Sequence, residues 1–219
     1  MKALEAISAI SAISTSQRGL FTSAQAQAAG VGKMTISRLA RHGQIEQVAR
    51  GVYRAAGAPS SREEDVYAAW LALNPVAAAW ERPMDGTDFV ASLNTAAWLH
   101  GLGELKPEPI TFSHDKRTRS RNTRLRFLTR RLDDMEITVA AGIPVTTPAR
   151  TILDLIEHDE DLSLIATVLA DAERLNPSMN IRDKINSFAS LRGFEKGFPL
   201  YDYLRGESDG QRISHSCRI

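Results

Sequence analysis

Cysteine is almost absent from this sequence, and the single one, Cys217, lies close to the C-terminal end. One thiol excludes an intramolecular disulfide framework and any cysteine-rich zinc module, and it points to a reducing compartment. Long apolar runs are missing as well. None approaches the ~20 consecutive residues needed to span a bilayer, and the stretch from Ala77 to Trp80 ends almost as soon as it begins. The opening Met1-Lys2-Ala3-Leu4-Glu5 carries an acid where a secretory signal would be basic, and Ser8, Ser11 and Ser14 interrupt any apolar core after it. A retained, cytoplasmic protein is the expectation. None of the histidines His42, His100, His114, His158 and His215 is paired at i and i+4 beside a glutamate, so zinc-hydrolase chemistry has no local support. Gly32-Lys33 suggests a phosphate loop, but Gln27 stands in place of the first glycine and Met34 in place of the magnesium-ligating hydroxyl. No metal or cofactor is expected.

What is present is an ordinary globular composition, 43% hydrophobic and 24% charged over 219 residues, enough for two domains with real cores. The formal net charge of +1 hides a sharp division. Residues 1–57 hold seven Lys/Arg against two Asp/Glu, whereas 58–219 hold twenty against twenty-four. Within the second part, 116–131 contain eight basic and no acidic side chains, and the remainder beyond 131 carries nine against fifteen. Two positive patches on an acidic body suit a polyanionic partner, because neutralising phosphates with release of counterions is the main source of nucleic-acid affinity. The alternative for either patch is a solvated surface.

Leu4, Ile7, Ile10 and Ile13 recur at a helical spacing and define a first helix over residues 3–14. Thr22-Ser23-Ala24-Gln25 reads as a capping box preceded by a staple residue, Phe21, and the helix it opens stops at Gly30. A third helix runs from about Gly32 or Lys33 to Gly43, with Ile36, Leu39 and Ala40 facing inward. Met34, Ser37, Arg38 and Arg41 fall on its opposite side, with Lys33 in the first turn and Thr35 on the flank. Two helices joined by a glycine turn, the second polar and positive outside, are how a helix-turn-helix presents its reading helix to the major groove. The segments 45–49 and 52–54 then alternate around Arg50-Gly51 as a hairpin, a wing, with Arg50 and Arg54 placed for phosphate.

The run Gly19-Leu20-Phe21-Thr22, the Gly30 turn, Ser37-Arg38-Leu39 and the stretch from Gly43 to Arg54 together resemble the N-terminal winged helix of the AbiEi antitoxin family. The resemblance continues in 97–102 and in Gly142-Ile143-Pro144-Val145-Thr146-Thr147-Pro148-Ala149-Arg150-Thr151, which look like recurring segments of the AbiEi C-terminal domain. It implies the antitoxin of a type IV toxin-antitoxin system linked to abortive phage infection, which represses its own operon and counters a nucleotidyltransferase-like toxin. Direct contact with that toxin is left open. Relatives that fuse the winged helix to a nuclease carry a further domain after the proline-arginine-aspartate helix. Only 26 residues follow Gly193 here, and no such domain is expected.

Residues 55–61 read as a linker, so the expected division is a winged helix-turn-helix over 1–57 and a larger domain over 58–219, with a tail from 207 whose order is left open. Helices are expected from Arg62 to Leu73 and from Ser92 to His100, strands over 109–113 and 125–132, a further pair of short strands over 136–140 and 143–145, and helices from Pro148 onward. The fold class is therefore α+β: a winged helix-turn-helix followed by an α+β domain with a small sheet and a helical C-terminal half. Trp70, Trp80 and Trp98 are read as packing residues, His100 as a helix-end residue, and Arg150 with Asp154 as an intrahelical ion pair.

The DNA-binding candidates are Lys33, Thr35, Ser37, Arg38 and Arg41 on the reading helix and Arg50 and Arg54 on the wing. Lys116, Arg117, Arg119, Arg121, Arg124 and Arg126 are candidates for a further nucleic-acid contact. These cannot all share one strand face, so some must sit in a loop, and a protein or toxin-RNA surface or a solvated hairpin are the alternatives. The expected partner is double-stranded operator DNA in inverted repeats, with no membrane and no enzymatic activity. A repressor unrelated to any toxin and a nucleic-acid-processing enzyme are the competing functions. Glu195-Lys196 matches the end of a nuclease motif but lacks a strand with the partner acid before it.

Overall fold

The computed structural model describes residues 3–207, so His215, Cys217 and the expected tail beyond Glu207 lie outside the described residues. The chain forms two compact units, 1–84 and 85–219. This moves the expected boundary, because the helix after the linker belongs to the first unit.

The first unit runs α1 (Ala3–Ser14), a 3-10 turn (Thr15–Gln17), β1 (Leu20–Thr22), α2 (Ser23–Ala28), α3 (Lys33–Arg41), β2 (Ile45–Ala49), β3 (Val52–Ala55) and α4 (Glu64–Leu73). The strands form an antiparallel sheet in the order β1-β3-β2. The capping box is built as expected: the Thr22 hydroxyl accepts from the Gln25 N–H at 3.0 Å and the Thr22 N–H donates to the Gln25 amide oxygen at 2.9 Å. After α2, Gly30 turns at φ 84°, and the Val31 N–H reaches back to the Ala26 carbonyl at 2.8 Å. Ala6, Ile10, Phe21, Ala26, Val31, Ile36, Leu39 and Ile45 share one core. Ile10 is buried in that core with Ile7 and Ile13 packed against it, and of the expected stripe only Leu4, 82% exposed, stays outside.

Helix α4 is tied to this unit by charge and by buried amides. Glu64 pairs with Arg54 at 2.7 Å and Glu63 with Arg18 at 3.1 Å. Gln17 and Gln25 donate to each other's amide oxygens at 3.0 and 3.1 Å. Gln17 also accepts the Ala79 N–H at 2.7 Å and Gln25 donates to the Ala77 carbonyl at 2.7 Å, so the segment after α4 closes over both. Trp70 is fully buried with the Arg82 guanidinium 3.5 Å from its ring centre, whereas Trp80 is 57% exposed, contrary to its expected packing role.

The second unit holds a mixed five-stranded sheet, β6 (Leu125–Thr129), β5 (Ile110–His114), β4 (Val90–Ala91), β8 (Ile143–Thr146) and β7 (Ile137–Ala140), in that spatial order. The short strand β4 was invisible in the periodicity. It links the two expected pairs, lying antiparallel to β5 and parallel to β8. β5 and β6 are parallel, from Ile110↔Leu125 to His114↔Thr129, so the basic run between them is a crossover and not a hairpin. Helices α5 (Leu93–His100), α6 (Pro148–Glu157), α7 (Leu162–Leu175), α8 (Arg182–Ser187) and α9 (200–207) build the helical half. Their core includes Leu102, Ile152, Leu155, Ile156, Ile165, Leu169, Ile185 and Leu200. His100 ends α5 with Nε2 2.8 Å from the Thr146 carbonyl, and burial lowers its pKa from the ordinary imidazole value, so the ring is neutral and donates there.

Removing one of two fully bonded buried amides strands the other. Gln25→Ala is expected to destabilise the first unit by about 1–3 kcal/mol in urea unfolding. Replacing both Gln17 and Gln25 by leucine is expected to cost less than the two single leucine replacements added together; strictly additive losses would contradict the paired arrangement.

Candidate nucleic-acid interface

The backbone turn into α3 determines what that helix offers. Gly32 caps α3 with no side chain of its own, so no side-chain cap covers the first-turn N–H groups, and the positive end of the helix stays open. Ile36 and Leu39 are 2% and 1% exposed and anchor the helix, which turns Lys33, Met34, Ser37, Arg38 and Arg41 outward with Thr35 half-buried at the edge. Met34, Thr35, Ser37, Arg38 and Arg41 line one shallow depression. The Gln44 N–H bonds the Leu39 carbonyl at 2.9 Å and leads directly into the hairpin. At the hairpin tip Gly51 turns at φ 77°, its carbonyl accepts the Ser23 N–H at 2.8 Å, and Arg50 is exposed beside it.

Arg54 departs from its expected role. Its guanidinium lies between Glu46 and Glu64, its side chain is only 16% exposed, and the hydrogen bonds to Glu46 and then Glu64 push its high pKa further up. The side chain that the strand pattern pointed toward phosphate is held by two carboxylates, which makes it a strut between the wing and α4. Arg18 is likewise engaged by Glu63. Among the described residues of this unit, Lys33, Arg38, Arg41 and Arg50 enter no ion pair. The free cations are therefore those on α3 and at the wing tip.

Residues 9–56 match the family described as "Transcriptional regulator, AbiEi antitoxin", and 89–200 match the "AbiEi antitoxin C-terminal domain". The chain belongs to the AbiEi antitoxin family. Each match falls within one compact unit, so this AbiEi-family chain joins a transcriptional-regulator domain to an antitoxin C-terminal domain. Its fold is similar to that of a solved structure, "Crystal structure of RV2827C protein from Mycobacterium tuberculosis", with TM-score 0.51 and 15% identity over 90% of this chain and 79% of that one. Among curated protein sequences none matches.

The second AbiEi domain separates its basic run into two parts. Lys116, Arg117, Arg119 and Arg121 are exposed on the crossover loop 115–124, with Arg124 at its end and Arg126 exposed on β6. Arg130 turns the other way: with Arg150 it binds the fully buried Asp154, and it reaches Glu157 at 2.5 Å. Arg150 also meets Glu157 at 3.2 Å and Glu136 at 3.4 Å. The expected pair of Arg150 and Asp154 is thus the centre of a structural network that fastens the end of β6 to α6. No cluster of His, Cys, Asp or Glu suited to a metal ion occurs among the described residues, and no helix there is long and apolar enough to cross a membrane.

The engagement of Arg54 has a measurable consequence. Arg54→Ala is expected to lower the stability of the first unit by about 1–3 kcal/mol, because Glu46 and Glu64 lose their partner. Thermal unfolding measured beside Arg50→Ala checks this, since the exposed Arg50 is expected to change stability by no more than about 0.5 kcal/mol.

Proposed function

We propose that this chain is a non-enzymatic antitoxin and autorepressor. It binds double-stranded operator DNA, in inverted repeats, through α3 and the wing of its first unit, and it counters a nucleotidyltransferase-like toxin through its second unit. The observation that carries the DNA reading is the sorting of charge. Carboxylates take up Arg18 and Arg54, while Lys33, Arg38, Arg41 and Arg50 stay unpaired on the reading helix and wing. Arginine meets the O6 and N7 acceptors of guanine in the major groove, and Thr35 and Ser37 supply hydroxyls for bases or phosphate. The open N-terminal end of α3 favours a phosphate, and Arg50 suits the backbone beside it. Arg54 has no part in this contact.

The exposed residues Lys116, Arg117, Arg119, Arg121, Arg124 and Arg126 supply a second cationic segment, which we assign to additional phosphate contacts. Repression and toxin control then divide between the units, in line with the transcriptional-regulator and antitoxin families they match.

Gel shifts on the promoter upstream of the gene test the DNA reading. Arg38→Ala and Arg41→Ala are expected to cost about 1–3 kcal/mol each and to relax sequence preference, whereas Arg50→Ala weakens all sequences alike and flattens the salt dependence. Unchanged binding in all three variants would remove α3 and the wing from the interface. Steady cleavage of labelled DNA with magnesium would overturn the non-enzymatic reading.

The division of labour is tested in cells that express a nucleotidyltransferase-like toxin of this family. The full chain carrying Arg38→Ala, Arg41→Ala and Arg50→Ala together is expected to lose repression and still protect growth. Loss of protection by the folded triple variant would contradict that division.

A further inference from the structure

One side chain of the α3 face is not accounted for by phosphate binding or by packing. Met34, the second residue of this nine-residue helix, is 88% exposed, while the helix anchors itself through Ile36 and Leu39. It is not a stray apolar residue on an otherwise solvated surface. It shares a single depression with Thr35, Ser37, Arg38 and Arg41, where an apolar thioether is surrounded by hydroxyl and guanidinium donors. Ser37 and Arg38 lie three and four residues further on and therefore on the same side of the helix.

That combination has a counterpart in the chemistry of base edges. In the major groove only the thymine edge displays a methyl group, with a carbonyl acceptor beside it. The first turns of a reading helix are the part that reaches base edges. Methionine is unbranched and polarizable, so it can follow a methyl group without demanding one rotamer. We propose that Met34 reads the C5-methyl group of a thymine and sets a preference for a T·A pair next to the pair met by Arg38. The inference rests on the DNA reading above and adds a specificity-determining contact to it.

The test uses the full chain and the tightest duplex it selects from random DNA of about 30 base pairs, long enough for two half-sites a helical turn apart. That duplex is synthesised with each thymine of a half-site replaced in turn by uracil, which lacks only the methyl group. Wild-type affinity is expected to fall about three- to fivefold at one thymine of each half-site, the loss that follows from one buried methyl. Met34→Ala is expected to bind the thymine duplex about as weakly as the wild type binds the uracil duplex, to show no thymine-uracil discrimination, and to accept other bases at that position when the selection is repeated. Equal wild-type affinity for all thymine and uracil duplexes, or undiminished discrimination in Met34→Ala, overturns the inference. If Arg38→Ala still weakens binding in that case, the DNA reading itself stands. If no sequence is selected and Arg38→Ala changes nothing, that reading fails and takes the inference with it.

Discussion

Gln17 and Gln25 sit in the interior of the first unit at 0% and 5% exposure, where each amide group needs a protein partner because water cannot supply one. Both reach full capacity. Gln17 donates to Leu20 and Gln25 and accepts from Gln25 and Ala79; Gln25 donates to Gln17 and Ala77 and accepts from Gln17 and the Thr22 N–H. A network satisfied this completely specifies one arrangement, since any shift leaves a buried donor or acceptor alone. It locates the start of α2, hence the Gly30 turn and the direction in which α3 leaves it. It also recruits residues 77–79, which is why the first unit extends past the linker to Met84.

Charge is then sorted on that frame. In the first unit the acids at the start of α4 and on β2 hold Arg18 and Arg54, and among the described residues the cations outside ion pairs are those on α3 and at the wing tip. The second unit repeats the division with different parts. Asp154, Glu157 and Glu136 gather Arg130 and Arg150 against α6, and Arg192 caps the end of that helix by donating to the Ile156 and Glu160 carbonyls at 3.2 and 2.8 Å. What stays exposed is the crossover from Lys116 to Arg124, whose Arg124 meets Glu108 at 3.9 Å, together with Arg126 on β6. A net charge of +1 thus conceals two cationic surfaces, because most of the compensating acids are placed elsewhere.

Much of the reading helix was legible in the chain because its determinants are local. The capping box needs only Thr22 and Gln25, the turn needs Gly30, and the helical period separates Ile36 and Leu39 from Ser37, Arg38 and Arg41. Arg54 was not legible in the same way. Its spacing on β3 suggested a free cation, whereas Glu64 beyond the linker holds it, as Glu63 holds Arg18. Gln25 was visible as half of a cap, but nothing near it announced Gln17 or the carbonyl of Ala77. The two-residue strand β4 was too short to carry a period, and without it the solvated hairpin stayed open as an alternative for the basic run, which the parallel pairing of β5 and β6 removes.

The linear order of residues by itself determined the types of element, the helix-turn-helix with its wing, and the two basic segments, because propensity, capping and periodicity act over a few neighbours. Tertiary structure alone decided the unit boundary, the parallel course of β5 and β6, and which arginines remain available to a partner. Those outcomes depend on carboxylates, amides and strand edges on separate elements, as in the ion pairs 8 residues apart for Glu46 and Arg54 and 45 apart for Arg18 and Glu63, and no pattern within one element encodes such a pairing.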